Sequence, residues 1–244
     1  MAEVYAGVDE APFQSTRSRK RRTKQSRTKL ASLAELCERR RGDVEPRTYL
    51  DDCAKALREA FGPALPRRAV CLGLGGLRSP NSQLQLLLFE AMTVLLDLAE
   101  PAVVFDPAFD EEDRIFLAER GFDVRTDEMP LALPCPTLCF LPHCPRSVNE
   151  ALVRANWRPG ELDRLLLVSN TFETYLLQTS ADSVVKVPCI SRLAPHLDVT
   201  PLPHSTDPPP LMERAFADIS FQSIRADALP PADSDFWTLP PASS

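Results

Sequence analysis

The stretch from Arg67 to Leu177 predicts a single α/β domain of the Rossmann-like, three-layer kind with a mainly parallel sheet. Three observations carry this. Strand-like and helix-like patterns alternate through the stretch, two of its strands are apolar without interruption, and a glycine turn at Gly73, Gly75 and Gly76 lies between a strand and a helix. The expected organisation is a mostly disordered basic arm over residues 1–45, an α/β domain over 46–225 with its core at 67–180, and a Pro-rich tail over 226–244.

The elements follow in chain order. Thr48 can cap a helix whose apolar positions Tyr49, Leu50, Cys53, Leu57 and Phe61 recur at helical spacing, and Gly62 followed by Pro63 stops it. A strand Val70 to Leu74, a helix Asn81 to Leu98, a strand Ala102 to Asp106 and a helix Glu111 to Arg120 make two successive βα units. A short strand at Phe122 to Arg125, a strand Thr137 to Leu141, a helix Arg146 to Ala155, a strand Arg164 to Val168 and a helix Thr171 to Leu177 continue the alternation. Val103-Val104-Phe105 and Leu165-Leu166-Leu167-Val168 are continuously apolar, as strands are when helices cover both faces of their sheet. After Val187 prolines become dense, which argues against regular structure, although Phe216, Ile219, Phe221 and Ile224 are apolar enough to dock on the domain.

Charge narrows the function classes. Residues 1–69 hold 16 Lys or Arg against 10 acids, whereas residues 70–244 hold 12 against 24. An acidic body repels nucleic-acid phosphates, so nucleic-acid binding is disfavoured for the core. Residues 15–29 carry Arg17, Arg19, Lys20, Arg21, Arg22, Lys24, Arg27 and Lys29 with no acid, which fits either a solvated arm or a nuclear-entry or nucleic-acid patch. No apolar run approaches the length of about 18 residues that a membrane span needs, and the first residues lack a secretory pattern. A cytoplasmic protein without membrane contact is expected, its seven cysteines reduced and Cys37, Cys53, Cys71 and Cys189 serving as small core or boundary residues.

Five features could carry chemistry. The turn Gly73-Leu74-Gly75-Gly76 precedes a helix, where positive φ and free N–H groups admit a phosphate or cofactor. Arg78 stands where a third glycine of the dinucleotide fingerprint belongs, which speaks against a standard NAD site. Asp106, at the next strand end, is placed like the acid that reads a ribose hydroxyl, so an S-adenosylmethionine-dependent methyltransferase or another nucleotide-binding enzyme is one alternative; a plain tight turn with Asp106-Pro107 opening a loop is the other. His143 and Cys144 end a strand on the same edge, where Cys144 at a helix start would have a lowered pKa, or Pro145 simply opens the helix and His143 is satisfied by hydrogen bonds. Asn170 either faces a ligand or caps the helix at Thr171. The Cys-Pro dipeptides at Cys135 and Cys144 admit a haem-sensing module through thiolate contact. Zinc does not fit Cys135, Cys139, His143 and Cys144, because Cys135 and His143 on one strand would be about 26 Å apart at roughly 3.3 Å per residue. His196 and His204 lie in the proline-dense segment, and no serine nucleophile elbow appears.

Gly73-Leu74-Gly75, Ser82-Gln83-Leu84-Gln85, Phe105-Asp106-Pro107, Leu141-Pro142-His143-Cys144, Ala155-Asn156-Trp157 and Ser169-Asn170-Thr171-Phe172, in this order, resemble the Sensitivity to Red Light Reduced family. The resemblance implies a regulatory protein without an established reaction, tied in plants to light signalling and the circadian clock and in animals to haem biosynthesis and core-clock gene expression. It also implies that Gly73, Gly75, Gln83, Asp106, Pro107, His143, Cys144, Asn156 and Asn170 are the positions to examine, with a small-molecule ligand and protein partners of unknown identity.

Overall fold

The computed structural model describes residues 31–44, 49–62, 65–177, 187–205, 208–224 and 226–241. The basic stretch 15–29, the helix cap expected at Thr48 and the stop expected at Pro63 lie outside the described residues.

Seven strands form one sheet: β1 (Ala69–Leu72), β2 (Val103–Phe105), β3 (Asp123–Val124), β4 (Thr137–Leu141), β5 (Leu165–Asn170), β6 (Leu197–Pro201) and β7 (Ile219–Ile224), in the order β3-β2-β1-β4-β5-β7-β6. The first five pair in parallel, and β7 joins antiparallel to both β5 and β6. The chain runs outward from β1 to β3, then returns to lay β4 on the other side of β1. That reversal opens a crevice between the β1 and β4 ends at the carboxyl edge of the sheet.

Helices cover both faces. Strand side chains alternate, so Ala69, Cys71, Val104, Leu138, Phe140, Val168 and Phe221 belong to one apolar core. It is closed by α1 (Leu33–Val44), α2 (Tyr49–Phe61), α3 (Pro80–Leu95) and α4 (Glu111–Glu119). Val70, Leu72, Val103, Cys139, Leu141, Leu165 and Leu167 belong to the other core, under α5 (Arg146–Ala155), α6 (Phe172–Leu177) and α7 (Pro188–Leu193). No helix among the described residues is long and apolar enough to cross a membrane.

Sequence and structure differ in three places. Helix α1 lies inside the stretch assigned to the arm and packs on α3, burying Leu33, Cys37 and Val44; its charged surface obscured those widely spaced apolar positions. The proline-dense segment, where regular structure was not expected, holds α7, β6, α8 (Pro210–Phe216) and β7. Its prolines sit where they cost nothing: Pro188 and Pro210 open helices, and Pro201 ends the edge strand β6. In the tail, the Phe236 ring stacks on Trp157 with centroids 4.9 Å apart, and Trp157 Nε1–H donates to Phe236 O at 3.1 Å.

Candidate functional site

The carboxyl-edge crevice is a cavity of 750 Å³ whose lining includes Gly73, Gly75, Asp106, Pro107, His143 and Cys144. Gly76 and Asn170 stand just outside the lining and Cys135 outside the cavity altogether.

The glycine turn is fixed by tertiary contacts. Gly73 and Gly75 have φ of +74° and +75°, a region where a Cβ is strained, whereas φ at Gly76 is not positive. Gly73 has a second constraint: a Cβ there would stand 2.5 Å from Cys144 Sγ. Asp106, 8% exposed, accepts the Gly75 N–H at 2.7 Å on Oδ2 and the Ala108 N–H at 2.7 Å on Oδ1. Its carboxylate therefore ties the glycine turn to the β2 loop. Asp113 does the same one step on, accepting the Leu77 N–H at 3.1 Å while closing a capping box with Asp110. Burial pushes the Asp113 carboxyl up from its ordinary value, and the N–H groups of Asp110 and Leu77 oppose that. Arg78 has left any phosphate role for a bidentate pair with Glu112 at 2.6 and 2.7 Å and a bond to Ala31 O at 2.6 Å.

His143 is held in an uncommon backbone conformation, φ +52°. Asn170 makes this hold: its Oδ1 accepts the His143 N–H at 2.8 Å, and its Nδ2 lies 3.2 Å from His143 Nδ1. A backbone N–H can only donate, which fixes the amide orientation. The amide nitrogen then donates to Nδ1, so the neutral ring carries its proton on Nε2. Asn170 does not cap a helix; it is the last residue of β5 and a latch on the His143 loop.

Cys144 overturns the expectation of a lowered pKa. The thiol is buried against the glycine turn, and burial, with the Asp106 carboxylate adding to it, pushes it up to about 12. Cys135, the other cysteine of a Cys-Pro dipeptide, is not among the residues that line the cavity. Each Asp106 oxygen holds one backbone N–H.

Two further motif residues shape the walls. Gln83 Nε2–H donates to Leu77 O at 2.8 Å behind the glycine turn. Asn156, 1% exposed, accepts the Leu133 N–H at 2.8 Å and donates to Leu131 O and Leu152 O at 2.8 Å each. It thereby fastens the loop that brings Met129 and Leu131 to the cavity. Sequence reasoning passed over Asn81, Ser82, Gln85 and Arg214, which also line it. Ser82 and Gln85 flank Gln83 in a motif already noted; Arg214 comes from the proline-dense segment and had no signal.

A mostly parallel sheet with a lined cavity at its point of strand reversal defines a Rossmann-like α/β protein. Residues 53–223 match the SRR1 domain, and the chain belongs to that family. It is 30% identical over 182 residues to an SRR1-like protein of Drosophila melanogaster, covering 70% of this chain and 60% of that one. It is 28% identical over 138 residues to Protein SENSITIVITY TO RED LIGHT REDUCED 1 of Arabidopsis thaliana, covering 55% and 50%. A Mus musculus SRR1-like protein is 29% identical over 115 residues, covering 43% and 44%. The chain thus spans from 44% to 60% of the length of these relatives.

Proposed function

We propose that this protein is a non-catalytic regulator that acts on haem biosynthesis and circadian core-clock expression through a small molecule held in the carboxyl-edge cavity. One observation carries the reading. Asp106 in the cavity lining and Asn156 and Asn170 beside it hold backbone groups, Asn170 also meeting the His143 ring, and so build the cavity's shape, while the cysteine within it is a buried thiol pushed up to about 12. A preformed pocket without an activated nucleophile supports binding better than turnover. The name of the Arabidopsis relative, which refers to red-light sensitivity, is in keeping with a signalling role.

The test is made in cells lacking the protein. Haem content and core-clock transcripts are measured before and after restoring either the wild-type chain or Ala151→Trp, which places a large ring among the cavity-lining residues. Wild type is expected to restore both readouts and the filled variant neither. Equal haem and transcript levels with and without the protein would remove the reading.

A further inference from the structure

We propose that the cavity takes a small phosphate monoester with a flat, partly apolar body, of mononucleotide size, its phosphate seated at the start of α3 between Ser82 and Arg214. This inference rests on the ligand-binding reading above and names the chemistry of its ligand.

The start of α3 lacks its usual partners. Ser79 N–H donates to Gly76 O at 3.0 Å, Pro80 has no N–H, and Gln83 N–H donates to Ser79 O at 3.1 Å. No side chain caps the helix, so the N–H groups of Asn81 and Ser82 have no acceptor among the described residues. Both residues line the cavity.

Side chains make the same demand. Ser82 is 4% exposed, and its hydroxyl has no hydrogen-bond partner among the described residues. Its hydroxyl is therefore available to a ligand in the cavity. Asn81 Oδ1 is buried without a donor, which a ligand hydroxyl or ring N–H would supply. Arg214 pairs with no carboxylate among the described residues, and its helix α8 is fastened to α3 by Gln85 Nε2–H donating to Ala215 O at 2.9 Å. The guanidinium, the His143 Nε2–H and two helix-start N–H groups line one cavity, and they are donors of the kinds that phosphate oxygens take. Two acids line the cavity: Asp106, whose carboxylate oxygens accept from Gly75 and Ala108, and Glu128, which comes from the loop that carries Met129 and Leu131. Phe105, Met129 and Leu131 supply an apolar wall for a ring.

Calorimetry on the full chain with adenosine 5′-monophosphate, adenosine and inorganic phosphate tests this. The monophosphate is expected to bind at least about tenfold more tightly than adenosine, and Ser82→Ala and Arg214→Gln are each expected to weaken it by about tenfold while leaving the adenosine affinity unmoved. Arg214 is exposed, so its variant folds. Equal affinities for the two nucleoside forms, no binding of either, or indifference to both substitutions overturns the proposal. In the cellular assay, an active Arg214→Gln beside an inactive Ala151→Trp sinks the phosphate while the cavity reading stands, and an active Ala151→Trp sinks the cavity reading itself.

Discussion

Gly73 shows how one position can be fixed by two unrelated constraints. Its φ of +74° costs an L-residue roughly 1–2 kcal/mol, and its missing Cβ leaves room for Cys144 Sγ, which would otherwise stand 2.5 Å away. Overpacking of that kind adds about 1–3 kcal/mol. Gly73→Ala is therefore expected to destabilise by about 2–5 kcal/mol in urea unfolding. Only the packing part is recoverable: combining it with Cys144→Ala should return about 1 kcal/mol of coupling, because the thiol that met the new methyl is gone. Purely additive losses would mean that backbone strain alone demands the glycine. The same reasoning explains what was legible at the site. Gly73, Gly75, Asp106 and His143 stand at strand ends, and strand ends at a sheet reversal can be read from alternation alone. The burial of Cys144, the latch from Asn170 to His143 and the arrival of Arg214 depend on residues 27 or more positions apart in the chain, and no local pattern records them.

At the scale of elements, the parallel half of the sheet was readable because its strands are apolar throughout and its helices follow at once. Strand β4 and helix α5 fall where the pattern puts them, while β5 runs on to Asn170 because β7 pairs along it as far as Ile219. The antiparallel edge was hidden by prolines whose tolerance depends on position, first turn or edge, rather than on number. Loops are the elements on which the cavity depends most. Residues 131–133 have no regular structure and owe their placement to the Asn156 amide, which meets three backbone groups. Asn156→Ala would leave Leu133 N–H, Leu131 O and Leu152 O without it, at about 1 kcal/mol or more apiece, for a loss of about 3 kcal/mol in urea unfolding. Amide exchange should rise across 128–133 while β1 and β4 stay protected. Unaltered exchange in that loop would mean that packing of Met129 and Leu131, rather than the amide, holds the wall.

At the scale of the whole molecule, the two cores share an unusual dependence on protonated thiols. Cys53, Cys71, Cys139 and Cys189 are buried in strands or helices on both sides of the sheet, and Cys37 and Cys144 are buried beside them. Burial is the first cause in every case, pushing Cys37 up to about 11, Cys53, Cys139, Cys144 and Cys189 up to about 12, and Cys71 well above its ordinary 9.0. Below pH 9 these thiols are protonated whether the chain is folded or not, so they add no pH dependence. Above it the unfolded chain ionises them and the folded chain does not, which favours unfolding until the folded values are passed near 11–12. Each thiol then removes about 1.4 kcal/mol per pH unit, and six together exceed the whole stability of a typical domain, about 5–15 kcal/mol, within roughly two units. Under reducing conditions the urea midpoint is expected to hold from pH 7 to 8.5 and to collapse by about pH 10.5. Cys139→Ala and Cys189→Ala should each be slightly less stable at pH 8 yet lose stability less steeply above pH 9, by about 1.4 kcal/mol per unit. Should the alkaline slope be the same in both variants as in the wild type, other groups drive the transition and the thiols of the two cores are bystanders.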